Sequence, residues 1–331
     1  MGKAPTAVGN LLVRVATNDV FDVRWFRVRE GVGSLFEVEL SALCTSSDVA
    51  FDAIVGRAAA FQVIGVQGRG WTGVVASLEL ERAESGGLSR YRLRLAPAAW
   101  LLTQRTSYRV FQDMSEPEIA LAVFRDWGLE LDVRLDLADF PKREYRVQFG
   151  ETDYAFAARM LEEAGVSFYF ETVLGEATHL VLDQAPHARA AIGPLPYFDQ
   201  TDGAPVTGWV TALSIARNVR PGRHTIKDYD QRLDPTLSLM ASSRPGLNEI
   251  EDRLETYQYG SGAFLYRVEG PSETPVADDR LRARTHMPEA SRLVQRRLDA
   301  GRSDALRFEF TSSVLELAPG VVALVLSLIH I

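Results

Sequence analysis

Residues 143–171, REYRVQFGETDYAFAARMLEEAGVSFYFE, are the most informative stretch of the sequence. They begin with alternating polar and apolar residues, which predict a strand, and continue at helical spacing, which predicts a helix over about 152–164. A second alternating run then predicts another strand. The side chains expected to face inward are Tyr145, Val147 and Phe149 in the first strand, and Val166, Phe168 and Phe170 in the second. The stretch therefore predicts a small α+β unit.

The same stretch carries four carboxylates that an acid–base catalyst could use: Glu151, Asp153, Glu162 and Glu163. Helical spacing places Glu162 and Glu163 on the solvated face, where either could pair with Arg159. Glu151 and Asp153 lie at the start of the helix, where negative charge is favoured. A structural role is favoured for all four, with an acid–base site as the alternative.

The first hundred residues alternate between apolar and polar side chains in six separate runs. These runs are LLVRVAT, DVRWFRVRE, SLFEVELSA, AAFQVIGV, GVVASLELER and SRYRLRLAP. Such runs predict an antiparallel sheet that curls into a barrel with one buried face. In SLFEVEL, Phe36, Val38 and Leu40 are the predicted core set.

The alternation ends near residue 109, and SEPEIALAVFRDWGLE follows with signals of a helix. Ser115 and Glu118 have the spacing of a capping box, and Gly128 is a stop signal. We expect Phe111 and Trp127 to be buried. Farther along, AIGPLPYFDQTDGAP predicts a long loop, because Pro, Gly and Asp cluster there.

The C-terminal part returns to strand-like segments around one helix. The predicted strands are GWVTALSIARNV, HTIKDYD, FLYRVEG, DALRFEFTSS and VVALVLSLI, and the helix ends in ASRLVQRRLDAG. The chain thus reads as a β-rich start, an α+β insertion and a second β-rich part.

Charge and composition limit the partners. The chain has 331 residues, with 36 Lys+Arg against 44 Asp+Glu and a net charge of −8, so we expect no nucleic-acid partner. The apolar segment GVVALVLSLIHI is shorter than the roughly 18 to 20 residues of a membrane span, so we expect no stable membrane insertion. Cys44 is the single cysteine, which excludes an intramolecular disulfide. MGKAPTAVGN lacks the apolar run of a signal peptide, which predicts synthesis in the cytoplasm without one.

One glycine pattern matches a cofactor motif. Gly68, Gly70 and Gly73 in GRGWTG have the spacing G-x-G-x-x-G, which binds a dinucleotide only between a strand and a helix. Because a strand-like segment follows, a hairpin turn is favoured, and no cofactor is expected.

One further group could ligate a metal. His224, Asp228 and Asp230 in HTIKDYD would share a face of a strand and could supply an imidazole and two carboxylates. A polar strand face is the favoured interpretation, so no metal is expected. No serine elbow or cysteine–histidine pair occurs, and we predict no catalytic residues and no enzyme.

The order of these segments resembles the VgrG spike proteins of type VI secretion and the related phage tail hub and late control D proteins. The resemblance is carried by SLFEVELSA, VGRAAAFQV, YRLRLAPAAWLLTQRTSYRVFQDMSEPEI, residues 143–171 and IKDYDQRLDP. Its structural motif residues are Arg109, Phe111, Gln112, Tyr145, Asp153, Phe156, Leu161, Glu162, Gly165, Phe168, Phe170, Asp228 and Asp230.

The resemblance implies an α+β, β-rich fold, in which two β-barrel subdomains like the tube protein are joined by smaller α+β subdomains. The expected boundaries are 1–108 for the first barrel, completed by about 190–235, then 109–189 for the α+β part and 236–331 for a second, truncated barrel. Family members continue into an OB-fold and a β-helix needle. We expect both to be absent here, as in a fragment or a truncated gene.

The resemblance also implies a structural role. The chain is expected to be the base of the type VI spike, a homotrimer that caps the hexameric Hcp-like tube. It would be secreted by the type VI machine to the exterior or into a target cell, and effector proteins or adaptors would be its partners. A phage or phage-like tail hub is the alternative, and a hydrolase or a carbohydrate-binding β-protein is a remote one.

Overall fold

All six alternating runs of the first part form strands of one sheet. A computed structural model of the chain describes residues 10–65, 68–84, 87–172, 177–199, 208–229, 239–244, 248–266 and 285–326. Its first elements are β1 (Leu11–Arg14), β2 (Asp22–Arg29), β3 (Glu37–Cys44), α1 (Phe51–Ile54), β4 (Ala58–Val63), β5 (Arg69–Arg82) and β6 (Ser89–Ala96).

These strands are antiparallel and follow the order β1-β4-β5-β6-β3-β2. The edge strands β1 and β2 approach each other, so that the sheet nearly closes into a barrel. Phe36, Val38 and Leu40 are buried inside it, as predicted. Period-two alternation was sufficient here because one face of every strand is apolar.

The α+β unit follows the barrel. Its elements are β7 (Thr106–Met114), α2 (Glu116–Asp126), β8 (Leu131–Arg134), β9 (Arg143–Thr152), α3 (Asp153–Ala164), β10 (Ser167–Thr172) and β11 (Thr178–Asp183). Strands β10, β11 and β8 form one sheet, and β7 and β9 form a separate two-stranded ribbon. The helices α2 and α3 pack against each other beneath that ribbon.

The predicted ends of both helices are confirmed. The Glu118 carboxylate accepts a hydrogen bond from the backbone N–H of Ser115 at 2.8 Å, which caps the start of α2. Beyond its end, Gly128 has a φ of +64°. The helix α3 spans Asp153–Ala164, close to the predicted 152–164, and its N-cap Thr152 accepts a hydrogen bond from the N–H of Ala155.

One hydrophobic core joins the barrel to the α+β unit. The ring of Phe36 in the barrel meets the ring of Phe170 edge-on, with centroids 5.3 Å apart. Nearby, Thr72 and Thr178 exchange two hydrogen bonds, each hydroxyl accepting from the other residue's backbone N–H. The barrel and the α+β unit are therefore held as one body.

The last part contains short strands and one long helix. These are β12 (Ile192–Pro196), β13 (Val210–Arg217), β14 (Arg223–Asp228), β15 (Leu239–Ser243), β16 (Glu255–Tyr259), α4 (Met287–Gly301), β17 (Leu306–Ser312) and β18 (Ala323–Leu326). The sheet order β15-β14-β16 packs against α4, while β12 pairs with β18 and β13 pairs with β17. The predicted helix ending at Gly301 is confirmed.

The long loop predicted over residues 191–205 is partly wrong. Residues 192–196 form β12, which pairs with β18 in a ladder whose register shifts between Ile192 and Leu195, and residues 200–205 lie outside the described residues. Residues 267–270 of the predicted strand FLYRVEG and residues 327–329 of VVALVLSLI lie outside the described residues.

The fold is α+β and β-rich, as predicted. The expected domain boundaries remain a prediction. Strands β12 and β13, from the segment expected to complete the first barrel, pair with strands of the C-terminal segment. Within the described ranges, no helix is both long enough and apolar enough to cross a bilayer.

Candidate functional site

The ribbon of β7 and β9 has two chemically different faces. Its outer face carries Tyr108, Val110, Tyr145, Val147 and Phe149, which are exposed. The prediction that the last three face inward is wrong. Alternation defined the two faces correctly, but the buried face of this ribbon is the polar one.

The buried face of the ribbon lies over α2 and α3 and carries Arg109, Phe111, Arg146 and Gln148. Gln148 is fully buried, and the Phe111 ring stacks on the buried ring of Phe156, with centroids 5.4 Å apart. Buried polar side chains of this kind need hydrogen-bond partners, which one carboxylate supplies.

That carboxylate belongs to Asp153, which is fully buried at the first position of α3. Its Oδ2 accepts hydrogen bonds from the Arg105 guanidinium at 2.7 Å and from the Trp127 indole N–H at 2.9 Å. Its Oδ1 accepts from the Gln148 amide at 2.9 Å and from Arg109 at 3.4 Å. Both oxygens are therefore engaged by donors from four different segments.

The protonation state of Asp153 follows from these contacts. Burial by itself raises the pKa of this carboxyl, but hydrogen bonds from Gln148, Trp127 and Arg105 outweigh burial, and the net pKa is lowered. A carboxylate that is ionised at neutral pH and whose oxygens are both occupied is a poor general acid or base. It is well suited to fix the positions of two strands and two helices.

Two of these hydrogen-bond donors, Arg109 and Trp127, make further contacts. Arg109 also donates to the Gln148 amide oxygen at 2.9 Å and forms an ion pair with Asp126 at 2.8 Å. Trp127 is half-buried and lies under the Arg105 guanidinium, 4.8 Å from the ring centroid. The sequence predicted the burial of Phe111 and Trp127, and both are half-buried.

A second buried ion pair ties the α+β unit to the C-terminal part. The Arg143 guanidinium donates to Glu116 at 2.6 Å, to the carbonyl oxygens of Ala263 and Leu265, and to the Tyr266 hydroxyl at 2.6 Å. Burial raises the pKa of Glu116, but the charges of Arg143 and Arg146 outweigh it and lower the net pKa.

The predicted solvated pair Glu162 and Glu163 is half right. Glu162 is exposed, whereas the Glu163 side chain is only 14% exposed. Glu163 pairs with Arg146 at 2.9 Å and with Arg159 at 3.6 Å, because α4 and the ribbon cover this side of α3. Helical periodicity alone does not show which neighbour covers a face.

The turn after α3 favours glycine. Gly165 has a φ of +72°, and a Cβ there would lie 2.4 Å from Cδ of Arg296 on α4. The other apolar motif residues of this segment, Phe156, Leu161, Phe168 and Phe170, are buried as expected for a core. Gln112 is exposed and lies opposite Tyr145 in the ribbon.

The metal alternative at His224, Asp228 and Asp230 gains no support. The buried Asp228 carboxylate accepts hydrogen bonds from the backbone N–H groups of Gly262 and Phe264, and so holds a turn. Asp230 lies outside the described residues. Among the residues that are described, no group of three potential metal ligands occurs.

The glycine motif lies in a strand hairpin. Gly68 precedes β5, while Gly70 and Gly73 lie inside it, and no helix follows. A Cβ on Gly73 would lie 2.0 Å from the carbonyl oxygen of Ala96, so this glycine permits close contact with the end of β6. The hairpin interpretation is thus confirmed in outline, although two glycines lie in the strand itself.

A cleft of about 510 Å³ opens between the barrel and the α+β unit. Small and apolar residues line most of it, and its charged lining residues are Arg14 and Glu130. The cleft therefore lacks the paired carboxylates that most glycoside hydrolases use.

Sequence reasoning missed Arg105, Glu116, Arg143 and Gln148 as structural residues. A signal was present, because the polar face of the ribbon is rich in Arg and Gln rather than in the Lys and Ser typical of solvated faces. Arginine guanidinium groups that face acidic residues at the start of a helix indicate buried ion pairs.

The fold is that of a phage tail hub. The described structure superposes on the 43 kDa tail protein of prophage MuSo2 from Shewanella oneidensis with a TM-score of 0.59, covering 96% of this chain and 89% of that one at 14% identity. It also superposes on the E. coli c3393 protein, a component of the type VI secretion system, with a TM-score of 0.54. That match covers 63% of this chain and 56% of the other at 22% identity.

Residues 29–325 match the family described as phage tail baseplate hub (GPD), and the chain belongs to that family. It is also 30% identical over 268 residues to the type VI secretion system spike protein VgrG5 of Pseudomonas aeruginosa, which covers 80% of this chain and 33% of that protein. The chain spans about a third of the length of the curated spike proteins it matches. The predicted resemblance is confirmed.

Proposed function

We propose that this chain is the base of a type VI secretion spike, a structural part of a contractile injection machine. The observation that carries the proposal is the extent of the match to a spike protein, 80% of this chain at 30% identity, on a tail-hub fold. A spike base needs a rigid body rather than a reactive centre. The buried networks around Asp153 and Arg143 serve such a body.

In this role the base forms a homotrimer that caps an Hcp-like hexameric tube. Effector proteins or adaptors are its further partners, and the machine expels it from the cytoplasm to the exterior or into a target cell. The β-rich barrel of the first part supports the proposal, because its nearly closed sheet offers a wall that can continue a ring of similar barrels.

A phage or phage-like tail hub is the second candidate. It is favoured by one observation, that the superposition on the prophage tail protein extends over nearly the whole of both chains. At 14% identity this superposition speaks for the fold alone. Sequence identity to spike proteins supports the secretion role.

The test is capture of the tube. The chain is produced with an affinity tag together with the Hcp-type tube protein of the same genome, and the complex is purified and imaged by electron microscopy. We expect density for the chain at one end of each tube. Capture of a phage tail tube protein instead, with no Hcp-type protein bound, would move the assignment to a phage-like hub.

A further inference from the structure

A cavity of about 150 Å³, here called the arginine pocket, lies at the junction of the α+β unit with the C-terminal part. Arg146 of β9 and Glu163 of α3 line it from one side, and Arg297 of α4 lines it from the other. Gln258 and Ser261, at the end of β16 and in the turn after it, complete its polar lining. One buried water needs roughly 10 to 15 Å³, so several waters or a small ion fit into this space.

Unpartnered polar atoms concentrate around the arginine pocket. In the described part of the chain, six buried side-chain atoms lack a hydrogen-bond partner, and four of them belong to this junction. They are the Nε atoms of Arg146, Arg296 and Arg297 and the Nε2 atom of His224. Burial, and then the charge of Arg297, lower the pKa of the His224 imidazole, so the two side chains are close. Because a buried N–H donor without an acceptor costs free energy, these atoms favour an acceptor from outside this set of residues.

The arginine pocket is positively charged, although the chain as a whole is negative. Among the described residues, four arginines at this junction share three carboxylates, which leaves one positive charge. The carboxylate that lines the pocket, Glu163, is itself within 4 Å of three arginines. An anion is therefore attracted in spite of Glu163. The four arginines are Arg143, Arg146, Arg159 and Arg297, and the three carboxylates are Glu116, Glu151 and Glu163.

The arrangement of the donors selects the class of anion. Guanidinium groups on β9 and α4 face the pocket together with an amide and a hydroxyl from the end of β16. A carboxylate ligand offers two oxygens, whereas a tetrahedral oxyanion offers four acceptors in different directions. Guanidinium groups match the oxygens of phosphate especially well. The charge excludes a metal cation, and the polar lining disfavours an apolar ligand.

We propose that the arginine pocket binds an inorganic oxyanion of the phosphate class between Arg146 and Arg297. The bound anion joins the α+β unit to α4, because the two guanidinium groups belong to these two parts. The site is independent of the proposed function, and neither stands or falls with the other.

Calorimetric titration of the whole chain with inorganic phosphate tests the site. Sodium chloride keeps the ionic strength constant, and we expect saturable binding to one site. R297M keeps the length of the side chain and removes the charge, so it should weaken binding at least about tenfold, as expected for a lost charge-assisted hydrogen bond. The matched control R292M lies on the same helix, where the Arg292 side chain is 64% exposed and pairs with Glu289, and it should bind as the wild type does.

A second pair of variants keeps the test informative if R297M does not fold. Ser261 is exposed, so S261D and S261N should both fold, as circular dichroism will show. S261D adds a negative charge at the pocket and should abolish phosphate binding, whereas S261N adds a side chain of the same shape without charge and should retain it.

Thermal unfolding gives an independent measurement. Phosphate should raise the melting temperature of the wild type in a saturable way, and hydrogen exchange at residues 260–263 should slow. The general stabilisation by excluded phosphate does not saturate and acts equally on all variants. Absence of saturable binding to the wild type, or equal binding to S261D and S261N, would overturn the proposal. Equal affinity of folded R297M and R292M would overturn it as well.

Discussion

Gln148 and Phe149 are neighbours in β9, yet the first is fully buried and the second is 76% exposed. The Gln148 amide donates to the Asp153 carboxylate, while the Phe149 ring lies on the outer face beside Tyr108. This inversion follows from one ionised side chain. Once Asp153 lies beneath the ribbon, the polar face of β9 must turn toward it.

Removing the charge of Asp153 is expected to destabilise the fold. D153N removes the anion that Arg105 and Arg109 share, while Arg109 keeps Asp126, and the loss of these charge-assisted hydrogen bonds costs about 1.5 to 3 kcal/mol. Urea unfolding at pH 7 measures the free energy of unfolding. The control E162Q alters an exposed carboxylate and should change it by less than about 0.5 kcal/mol. Similar values for both variants would contradict a structural role for Asp153.

Acid should weaken the fold through the same group. The folded-state pKa of Asp153 is lowered, so its stabilising contribution is full above the unfolded-state pKa of about 3.9 and is lost as the pH falls toward the folded-state pKa. Glu116 acts in the same direction. Between about pH 5 and about pH 3, where carboxylates become protonated, we therefore expect the free energy of unfolding to fall less for D153N than for the wild type. Parallel curves for the two proteins would contradict this.

The strands and helices of the first half followed from the sequence because their patterns are local. Ser115, Glu118 and Gly128 set the ends of α2, and Phe36 with its alternate neighbours defined the barrel interior. The orientation of the β7–β9 ribbon did not follow. Alternation names two faces, but which one is buried depends on Asp153, five residues after Gln148 in the chain and beneath it in space.

The candidate site was predictable in composition and not in arrangement. The motif residues Arg109, Phe111 and Asp153 were singled out, and the structure brings them together. Arg143 was not, because its partners at Ala263 and Leu265 lie more than a hundred residues away. No local pattern reports a contact of that span.

Arg143 is expected to hold the C-terminal part in place. R143A leaves the buried Glu116 without its closest cation and frees two carbonyl oxygens, at a cost of about 3 to 5 kcal/mol. Hydrogen exchange should accelerate at residues 263–266 before it does in the barrel. The control K142A alters an exposed neighbour and should leave both measurements unchanged. Uniform acceleration over the whole chain would argue against a local clamp.

Comparison of Gly128 with Gly165 separates the energetic cost of backbone strain from the cost of a steric clash. Gly128 and Gly165 both have positive φ, but a Cβ at Gly128 meets nothing within 4 Å, whereas one at Gly165 meets Arg296. G128A should cost about 1 kcal/mol from strain alone. We expect G165A to cost about 1 kcal/mol more, because the Arg296 side chain must move away from its contact with Glu289. Equal melting temperatures of the two variants would show that the Arg296 side chain moves aside without cost.

The stacked rings of Phe111 and Phe156 should be energetically coupled. F156A opens a cavity in the core and should cost about 3 to 5 kcal/mol, while F111A, at a half-buried position, should cost less. In a double-mutant cycle by urea unfolding, we expect a coupling of about 0.5 to 1.5 kcal/mol. Strict additivity would mean that the rings are neighbours without mutual stabilisation.

The Arg143 clamp also imposes an order on biosynthesis. Ala263 leaves the ribosome 120 residues after Arg143, which at about 5 to 20 residues per second is a delay of roughly 6 to 24 s. During that interval the barrel and the α+β unit can already be folded, with the guanidinium paired to Glu116 alone and its remaining donors in water. The remaining hydrogen-bond donors of Arg143 therefore have no protein partner until residues 263–266 emerge from the ribosome and bind them.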